Sequence, residues 1–444
     1  MAGDAGEVKP KALLSVADGV FLMAGMVIGV GIFKAPGIVA ANSASAAEFF
    51  FAWVLGGLAC LCGALVYAEL ASRYPETGGE YAFLRRGWGA GPAFVFAWSR
   101  LTVIQTGAIA GVSFVFGEYA TQIYSLGPKS DALYAAIAVA GFTALNVAGT
   151  LQTKSFQKIL EVLLMCALLG IAIGGMMHSG SAKAAPASPG GDFAFLMIFV
   201  LYTYGGWNEA AYLAGELRDA RRSMIKVLAG GTILVTILYL LVNLGYYSVL
   251  GLGGMKESKA VASDAMRAIA GDNAALLLAI VVCVSALTTI NAAIFTGART
   301  NYALGIDVPL FRALGSWQAR GSTPANALLV QGAITLLLVW AGSYTQDGFE
   351  AMVAYGFPVF WTFLLMTGLT LLVFRRKEAA RPEVTTPLYP LVPLAFYAMC
   401  VFMLWKSIAY IANPQFGPKF GNLVLTGVVV MLAGIPLYFV AKRR

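Results

Sequence analysis

The amino-acid sequence predicts an all-α integral membrane protein with about twelve transmembrane helices. Its composition is 59% hydrophobic and only 12% charged, with a mean hydropathy of +0.76, which excludes an ordinary soluble domain. The apolar residues are grouped in runs of about 20 residues, the length at which an α-helix crosses the hydrocarbon core of a bilayer. Basic residues cluster in alternate connecting segments, as they do in proteins that cross the membrane repeatedly.

The apolar runs define the predicted elements in chain order. They are preceded by a solvated cytoplasmic tail, residues 1–14, and followed by a second cytoplasmic tail, residues 441–444. The runs cover residues 15–41, 48–72, 93–124, 131–150, 155–178, 192–214, 225–250, 272–303, 323–343, 348–374, 388–411 and 420–440.

The basic residues also predict the orientation of the chain. The segments that follow the second, sixth and tenth runs contain basic clusters at 85–86, 221–222 and 375–377. By the positive-inside rule these segments face the cytoplasm, so both termini are cytoplasmic and the number of spans is even. The predicted location is the plasma (inner) membrane. These clusters account for the net charge of +8, so no nucleic-acid partner is predicted.

The first run is interrupted by Ile28-Gly29-Val30-Gly31. A spanning helix must satisfy its own backbone polar groups, so paired glycines at mid-membrane indicate a helix that breaks and turns free backbone groups toward a ligand. The amides of Val30, Gly31 and Ile32 would begin the second half-helix, and a helix N-terminus favours a carboxylate. The alternative is that these glycines only let neighbouring helices pack closely.

The sixth run contains a second interruption, Tyr204-Gly205-Gly206-Trp207. The half-helix that ends there would leave backbone carbonyls without partners, and such carbonyls suit a cation, here a substrate ammonium. The two breaks together would hold both charged groups of a zwitterion without a charged side chain. Tyr202 and Trp207 bracket the second break and are candidates to line or gate the site, the alternative being ordinary aromatic packing.

Three charged residues inside the runs are open to two interpretations each. Glu209 follows the second break, where a carboxylate must be protonated, paired or hydrated; it either couples transport to a proton or faces a water-filled vestibule. Lys158 is a candidate for ion coupling, or it pairs with Glu161 near the membrane surface. Lys34 is either a charge in an outer vestibule or a residue that reaches the membrane surface.

The eighth run carries a stripe of polar side chains. Ser285, Thr288, Thr289 and Asn291 recur at three- and four-residue spacing. This spacing places them on one helix face, so the three hydroxyls are candidates for ion coupling. The alternative is that the hydroxyls only bond back to their own helix.

The sequence argues against other classes of function. The chain has one histidine, His178, and five cysteines that all fall inside apolar runs, so neither a metal site nor a cofactor is predicted. It contains no Gly-x-Ser-x-Gly motif and no histidine-based acid–base set, which disfavours an intramembrane enzyme. A passive channel is the other alternative to a transporter.

Four stretches resemble the amino acid–polyamine–organocation transporters, and among them the L-type amino acid transporter branch. They are residues 29–33, 69–81, 204–208 and 291–299, and the resemblance covers roughly residues 15–375. It implies the LeuT-type fold, in which the first and sixth helices are broken. Spans 1–5 and spans 6–10 then form inverted repeats, here residues 15–178 and 192–374, followed by spans 11 and 12 in residues 388–440.

The resemblance also implies the roles of individual residues. The substrate carboxylate would meet amides around Val30 and Gly31, and the substrate ammonium would meet carbonyls near Ile28, Tyr202 and Gly205. Tyr202 matches the aromatic gate of the family. The predicted substrate-binding residues are Ile28, Gly29, Val30, Gly31, Tyr202, Tyr204, Gly205, Trp207 and Asn291.

The sequence departs from the family pattern at several positions. Val30 stands where many relatives have a serine, so a hydroxyl contact to the substrate carboxylate is lost. The position at which some relatives place a lysine that substitutes for a sodium ion matches Leu164, or Lys158 if the register shifts. The acidic position of the family matches Asn208 here, and Glu209 is the residue after it. These departures bear on how transport is coupled to an ion.

The predicted function is secondary active transport of neutral L-amino acids by alternating access, as an exchanger or a proton- or cation-coupled symporter. A neutral substrate is predicted because the breaks carry no obvious countercharge apart from Glu209. If Glu209 reaches the pocket, a cationic amino acid or a polyamine becomes the substrate class. The predicted partners are the amino acid, a proton or sodium ion and the lipid bilayer.

Overall fold

A computed structural model describes residues 15–74, 79–149, 154–178, 191–217, 219–318, 323–377, 384–411 and 417–442. Within 154–161, 212–216, 220–221 and 417–420 it describes the backbone alone. These residues form helices joined by short segments, and the β pairing among them is a single isolated bridge between Gln318 and Thr323.

The first half of the chain builds eight α-helices. A π-helical segment, Arg100–Ile104, joins the fifth and sixth of them into one continuous span. The helices are α1 (Val16–Val27), α2 (Gly31–Asn42), α3 (Ala46–Arg73), α4 (Gly79–Trp88), α5 (Ala90–Ser99), α6 (Gln105–Ile123), α7 (Ser130–Ala148) and α8 (Lys154–Met177).

The second half builds eight further α-helices. A 3₁₀ segment, Trp207–Glu216, follows the first of them, and a short 3₁₀ turn, Pro309–Phe311, follows the fourth. The helices are α9 (Phe193–Thr203), α10 (Ala220–Glu257), α11 (Val261–Ala270), α12 (Asp272–Asp307), α13 (Ala325–Gly342), α14 (Gly348–Lys377), α15 (Leu391–Ala409) and α16 (Gly417–Lys442).

The predicted fold class, an all-helical membrane protein, is confirmed. Each of the twelve predicted apolar runs contains a helix, and in the described ranges nine helices are long and apolar enough to cross a membrane. The bent pair of α1 and α2 makes a tenth span. The total of twelve spans and the inverted repeat stay predictions, because the described apolar part of α8 and the helix α9 are shorter than a full crossing.

The structure adds two helices that lie outside the apolar runs, α4 and α11. The amphipathic helix α11 buries Val261 and Ala265 and exposes an ion pair between Arg267 and Asp264. An amphipathic surface helix has no continuous apolar run, so a search for spanning segments passes over it. The preceding helix α10 also continues past the predicted end of the seventh run, through Gly251, whose φ of 62° interrupts the helical geometry.

The breaks lie in the most buried part of the bundle. Every residue of α9 from 194 to 201 is buried, and so is every residue of α2 from 32 to 40. Burial on every side means that neighbouring helices, rather than lipid, surround these two segments. The helices α2 and α9 pack against each other, so the two interrupted spans share the centre of the molecule.

Candidate functional site

The first span breaks where the sequence predicts. The helix α1 ends at Val27, Ile28 has a non-helical ψ of 86°, and α2 resumes at Gly31 with the two axes bent by 54°. The amide of Gly29 donates to the carbonyl of Val27 at 2.8 Å, which closes a tight turn. The first amides of α2 have no partners within their own helix, so they form a site that favours an anion.

The sixth span also breaks where the sequence predicts. The helix α9 ends at Thr203, and the amide of Gly205 donates to the carbonyl of Tyr202 at 2.9 Å. Gly206 then adopts a φ of +107°, a conformation that favours glycine, and the chain continues as the 3₁₀ segment. A Cβ at Gly206 would lie 2.5 Å from the carbonyl oxygen of Met26, so only glycine lets the two breaks approach this closely.

The carbonyl ends of the two half-helices converge on one side chain. The hydroxyl of Tyr239, on α10, lies 3.0 Å from the carbonyl oxygen of Val27 and 3.1 Å from that of Thr203. The N-terminus of α2 adjoins them, because a Cβ at Gly31 would lie 3.5 Å from Thr203. Backbone that attracts a cation and backbone that attracts an anion therefore lie side by side.

The structure places Tyr202 between two other helices. Its half-buried ring meets Phe349 of α14 edge to face, with ring centres 5.4 Å apart. Its hydroxyl lies 3.3 Å from where a Cβ of Gly111, on α6, would be. Gly111 leaves room for the phenol, which lies between α6 and α14. This placement fits a gate, which stays a prediction.

The side chains of Tyr204 and Trp207 anchor the second break to α3. The hydroxyl of Tyr204 donates to the carbonyl of Trp53 at 3.1 Å. The indole of Trp207 meets the ring of Tyr67 edge to face at 5.0 Å. Both side chains thus pack against α3, which for Trp207 is the alternative that the sequence left open. The role of these two residues in substrate binding stays a prediction.

The polar stripe of α12 is bonded to its surroundings. The hydroxyls of Thr288 and Thr289 donate to the carbonyl of Ser285 at 2.8 and 3.0 Å, so both threonines bond back to their own helix. The side-chain oxygen of Asn291 accepts from the amide of Asn146, on α7, at 2.7 Å. The structure therefore joins Asn291 to α7, and its role in substrate binding stays a prediction.

The predicted coupling candidates do not form one cluster. The side chain of Glu209 is 49% exposed and pairs with Arg100 at 3.2 Å, which supports the interpretation that it faces water. The side chains of Lys158 and Glu161 lie outside the described part of the structure. Leu164 is buried.

Lys34 has neither of the two predicted surroundings. Its side chain is 7% exposed, and its ammonium lies 2.6 Å from Glu118 and 2.8 Å from Asp347. These pairs connect α2 to α6 and to the segment that begins α14. We call this end of the bundle, with Glu118, Asp347 and Glu350, the acidic end. The sequence shows a charge in an apolar run but not its partners, since Glu118 lies 84 residues away.

A second polar cluster lies at the other end of the bundle, which we call the arginine-rich end. Glu69, at the end of α3, has no exposed surface and accepts hydrogen bonds from Arg73, Arg375 and Thr386. The sequence motif 69–81 points to this region without indicating those partners. The arginine-rich end is defined by Arg73, Arg85, Arg86, Arg375 and Arg376.

Two cavities lie on the flank of the bundle. One, of about 540 Å³, is lined by Ala47, Glu48, Phe51 and Phe193. The other, of about 390 Å³, is an apolar groove between α3, α9 and α15. None of the predicted site residues lines either cavity. At the breaks themselves, Gly29, Gly31, Gly205 and Gly206 are partly exposed.

Two interrupted helices that meet inside a polytopic bundle are the architecture of a secondary transporter. A profile of the amino acid permease family matches residues 14–436. The chain therefore belongs to the amino acid permease family and is an amino acid transporter rather than an enzyme. This confirms the family resemblance and the predicted class of activity.

Individual relatives are similar over almost their whole length. The b(0,+)-type amino acid transporter 1 of Mus musculus is 27% identical, with 96% of this chain and 87% of the relative covered. The cystine/glutamate transporter of Homo sapiens is 26% identical, with 98% and 86% covered. The serine/threonine exchanger SteT of Bacillus subtilis (strain 168) is 24% identical, with 95% of each chain covered.

Proposed function

We propose that this transporter carries neutral L-amino acids by alternating access and binds them at the two breaks. The substrate carboxylate meets the amides of Val30, Gly31 and Ile32, and the ammonium meets the carbonyl ends of α1 and α9. The observation that carries the proposal is the convergence of both carbonyl ends on the hydroxyl of Tyr239. A bound ammonium replaces the hydrogen bond that this hydroxyl supplies.

A neutral substrate side chain agrees with the charges around the breaks. Glu209 is paired with Arg100, and Lys34 is paired with Glu118 and Asp347. Each of these charges already has an opposite partner, so a charged substrate side chain would have to displace one of them. A cationic amino acid is the second candidate, because two carboxylates surround Lys34 at the acidic end.

The arginine-rich end faces the cytoplasm in this proposal, in accordance with the positive-inside rule. Tyr202 acts as a gate between α6 and α14. Exchange is the transport mode that the name of one relative, a serine/threonine exchanger, supports for this chain. Alternating access then consists of opening the acidic end and the arginine-rich end in turn, with the amino acid held between them.

Counterflow in proteoliposomes tests the proposal. Vesicles are loaded with unlabelled leucine, alanine, serine or arginine, and a labelled neutral amino acid is added outside. We expect uptake with internal neutral amino acids and little uptake with internal arginine. Competition by arginine but not by leucine would overturn the neutral assignment, and uptake that does not saturate would indicate a channel.

A pair of glycine variants tests the site itself. A Cβ at Gly29 would meet nothing closer than a carbonyl oxygen at 3.9 Å, so Gly29→Ala should fold. The added methyl would stand where a carboxylate approaches the amides of α2, so we expect a loss of uptake of about tenfold, the equivalent of about one strong hydrogen bond. Gly141→Ala is the control, since Gly141 of α7 is exposed and also has open space around it.

A further inference from the structure

Glu80 is a buried carboxylate that the proposed substrate site does not use. It is the second residue of α4, a short helix outside the spanning helices, and it is 5% exposed. One of its oxygens accepts from the hydroxyl of Tyr67 at 2.7 Å and from the side-chain amide of Asn208 at 3.2 Å. Asn208 belongs to the 3₁₀ segment, and the ring of Tyr67 packs on Trp207 of the same segment. Glu80 thus holds α4 to the half of the sixth span that follows the break.

The partners of Glu80 differ from those of the other buried carboxylate at the same end. Glu69 accepts from two guanidinium groups, those of Arg73 and Arg375, which compensate its charge. In the described part of the chain Glu80 forms no ion pair and is held by the two neutral donors. A buried carboxylate without a cation is costly when charged and far less costly when protonated.

The charges that face Glu80 from the neighbouring helices are few. The π segment presents Arg100, which attracts the carboxylate, and the 3₁₀ segment presents Glu209, which repels it. Arg100 is itself bonded to Glu209. The helix α5 contains no charged residue, and Arg375 of α14 is bonded to Glu69. On balance, burial raises the pKa of Glu80, although Tyr67, Arg100 and Asn208 oppose the rise.

We propose that Glu80 is a proton-binding site that controls the opening of the sixth span toward the arginine-rich end. The inference rests on the proposed alternating access and deepens it by naming the group whose protonation controls one of the two openings. With a proton on Glu80, α4, α3 and the 3₁₀ segment stay packed together. When the proton is released to water, hydration stabilises the charged carboxylate. Water reaches the carboxylate only if the 3₁₀ segment moves away.

The sign of the pH dependence follows from this linkage. The packed arrangement raises the pKa of Glu80. Its stability relative to the opened arrangement is therefore greatest at low pH and decreases as the pH rises through that pKa. If the pKa in the packed arrangement lies one unit above that in the opened one, the opened population rises about tenfold across the titration. Substrate release at the arginine-rich end is then accompanied by proton release.

Hydrogen–deuterium exchange of the full-length protein in nanodiscs measures this opening without substrate. We expect peptides covering α4 and the 3₁₀ segment to exchange about tenfold faster above the Glu80 titration, after correction for the intrinsic pH dependence of exchange. Peptides covering α16 serve as the internal reference. In Glu80→Gln the side chain keeps an acceptor for Tyr67 and Asn208 but cannot ionise, so exchange should stay slow at every pH.

Two further variants keep the proposal testable if Glu80→Gln fails to fold. Tyr67→Phe retains the ring packed on Trp207 but removes a hydrogen-bond donor that stabilises the charged carboxylate of Glu80. The pKa of Glu80 should therefore rise, and the midpoint of the pH-dependent exchange should move to higher pH. Tyr397→Phe is its control, since that hydroxyl donates to the backbone carbonyl of Gly368. Glu209→Gln should keep a pH-dependent transition, because Glu209 is half exposed and paired with Arg100.

The results separate this inference from the proposed function. A pH-dependent transition that persists unchanged in Glu80→Gln, or a midpoint unmoved in Tyr67→Phe, would overturn the proton site even if amino acids are transported. Amino acid binding is measured on the same samples by scintillation proximity. If no amino acid binds while the transition depends on Glu80, the proposed substrate fails and the proton site stands.

Discussion

At the scale of single residues, the hydroxyl of Tyr239 makes the contacts on which the proposed substrate site most depends. It lies within hydrogen-bond distance of the last carbonyls of two helices that belong to different spans. Backbone carbonyls deep in a membrane protein need a donor, and neither water nor lipid supplies one there. The same carbonyls can therefore be satisfied by a tyrosine in one state and by a substrate ammonium in another.

We predict that Tyr239→Phe lowers the stability of the substrate-free protein. Two carbonyls lose their shared donor, which costs about 1–3 kcal/mol, and a thermal shift assay in detergent should show a lower Tm. Tyr246→Phe is the matched control, since Tyr246 is equally buried on α10 but its hydroxyl lies 3.4 Å from the carbonyl of Ile32. Equal losses of Tm in the two variants would contradict the bridging role of Tyr239.

At the scale of helices, the half-helix α2 is held in its first turn by charge. Lys34 is buried and joins α2 to α6 and α14 through Glu118 and Asp347. Removing one member of a buried ion-pair cluster leaves the opposite charges without compensation. The cluster therefore stabilises the conformation in which the acidic end is closed, and opening that end must hydrate all three groups.

We predict that Lys34→Met favours opening at the acidic end. Glu118 and Asp347 then repel each other, and the loss of one partner from a buried ion pair destabilises the closed arrangement by about 3–5 kcal/mol. The readout is the reactivity of Phe33→Cys toward a water-soluble maleimide, which should rise in the Lys34→Met background. Lys406→Met, which breaks a partly exposed pair with Asp192, should change reactivity little, because such pairs contribute about 0–1 kcal/mol. Unchanged labelling in Lys34→Met would refute the role of the cluster.

At the scale of the whole molecule, the two ends of the bundle are chemically different. The arginine-rich end carries the basic connecting segments, and the acidic end carries three carboxylates around one lysine. This difference is the basis for the proposed orientation in the membrane. An even number of spans then brings both termini to the cytoplasmic side.

We predict that reporter fusions in bacteria will show this topology. Green fluorescent protein after the last residue should fluoresce, and alkaline phosphatase at that point should be inactive. Alkaline phosphatase fused after residue 126, in the segment between α6 and α7, should be active. The opposite pattern at both points would reverse the orientation, and agreement at only one point would contradict the odd number of spans predicted between residue 126 and the C-terminus.

Local patterns in the sequence are enough to predict the helical membrane class, the apolar runs and the two breaks. These properties depend on local composition, because a run of apolar residues long enough for the bilayer and a pair of glycines inside it act within a few turns of helix. The four motifs also sufficed to indicate the family, since each of them is a short continuous stretch of the chain.

The side chains that surround the breaks could not be predicted in this way, because they are set by tertiary packing. In the folded chain, Tyr204 and Trp207 pack on α3, and Glu209 pairs with Arg100. The hydroxyl of Tyr239 lies at the carbonyl ends, and Glu80 accepts a hydrogen bond from Asn208, 128 residues further along the chain. Such contacts depend on how separate helices pack and rotate against one another, and the order of residues along one helix carries no direct record of its neighbours.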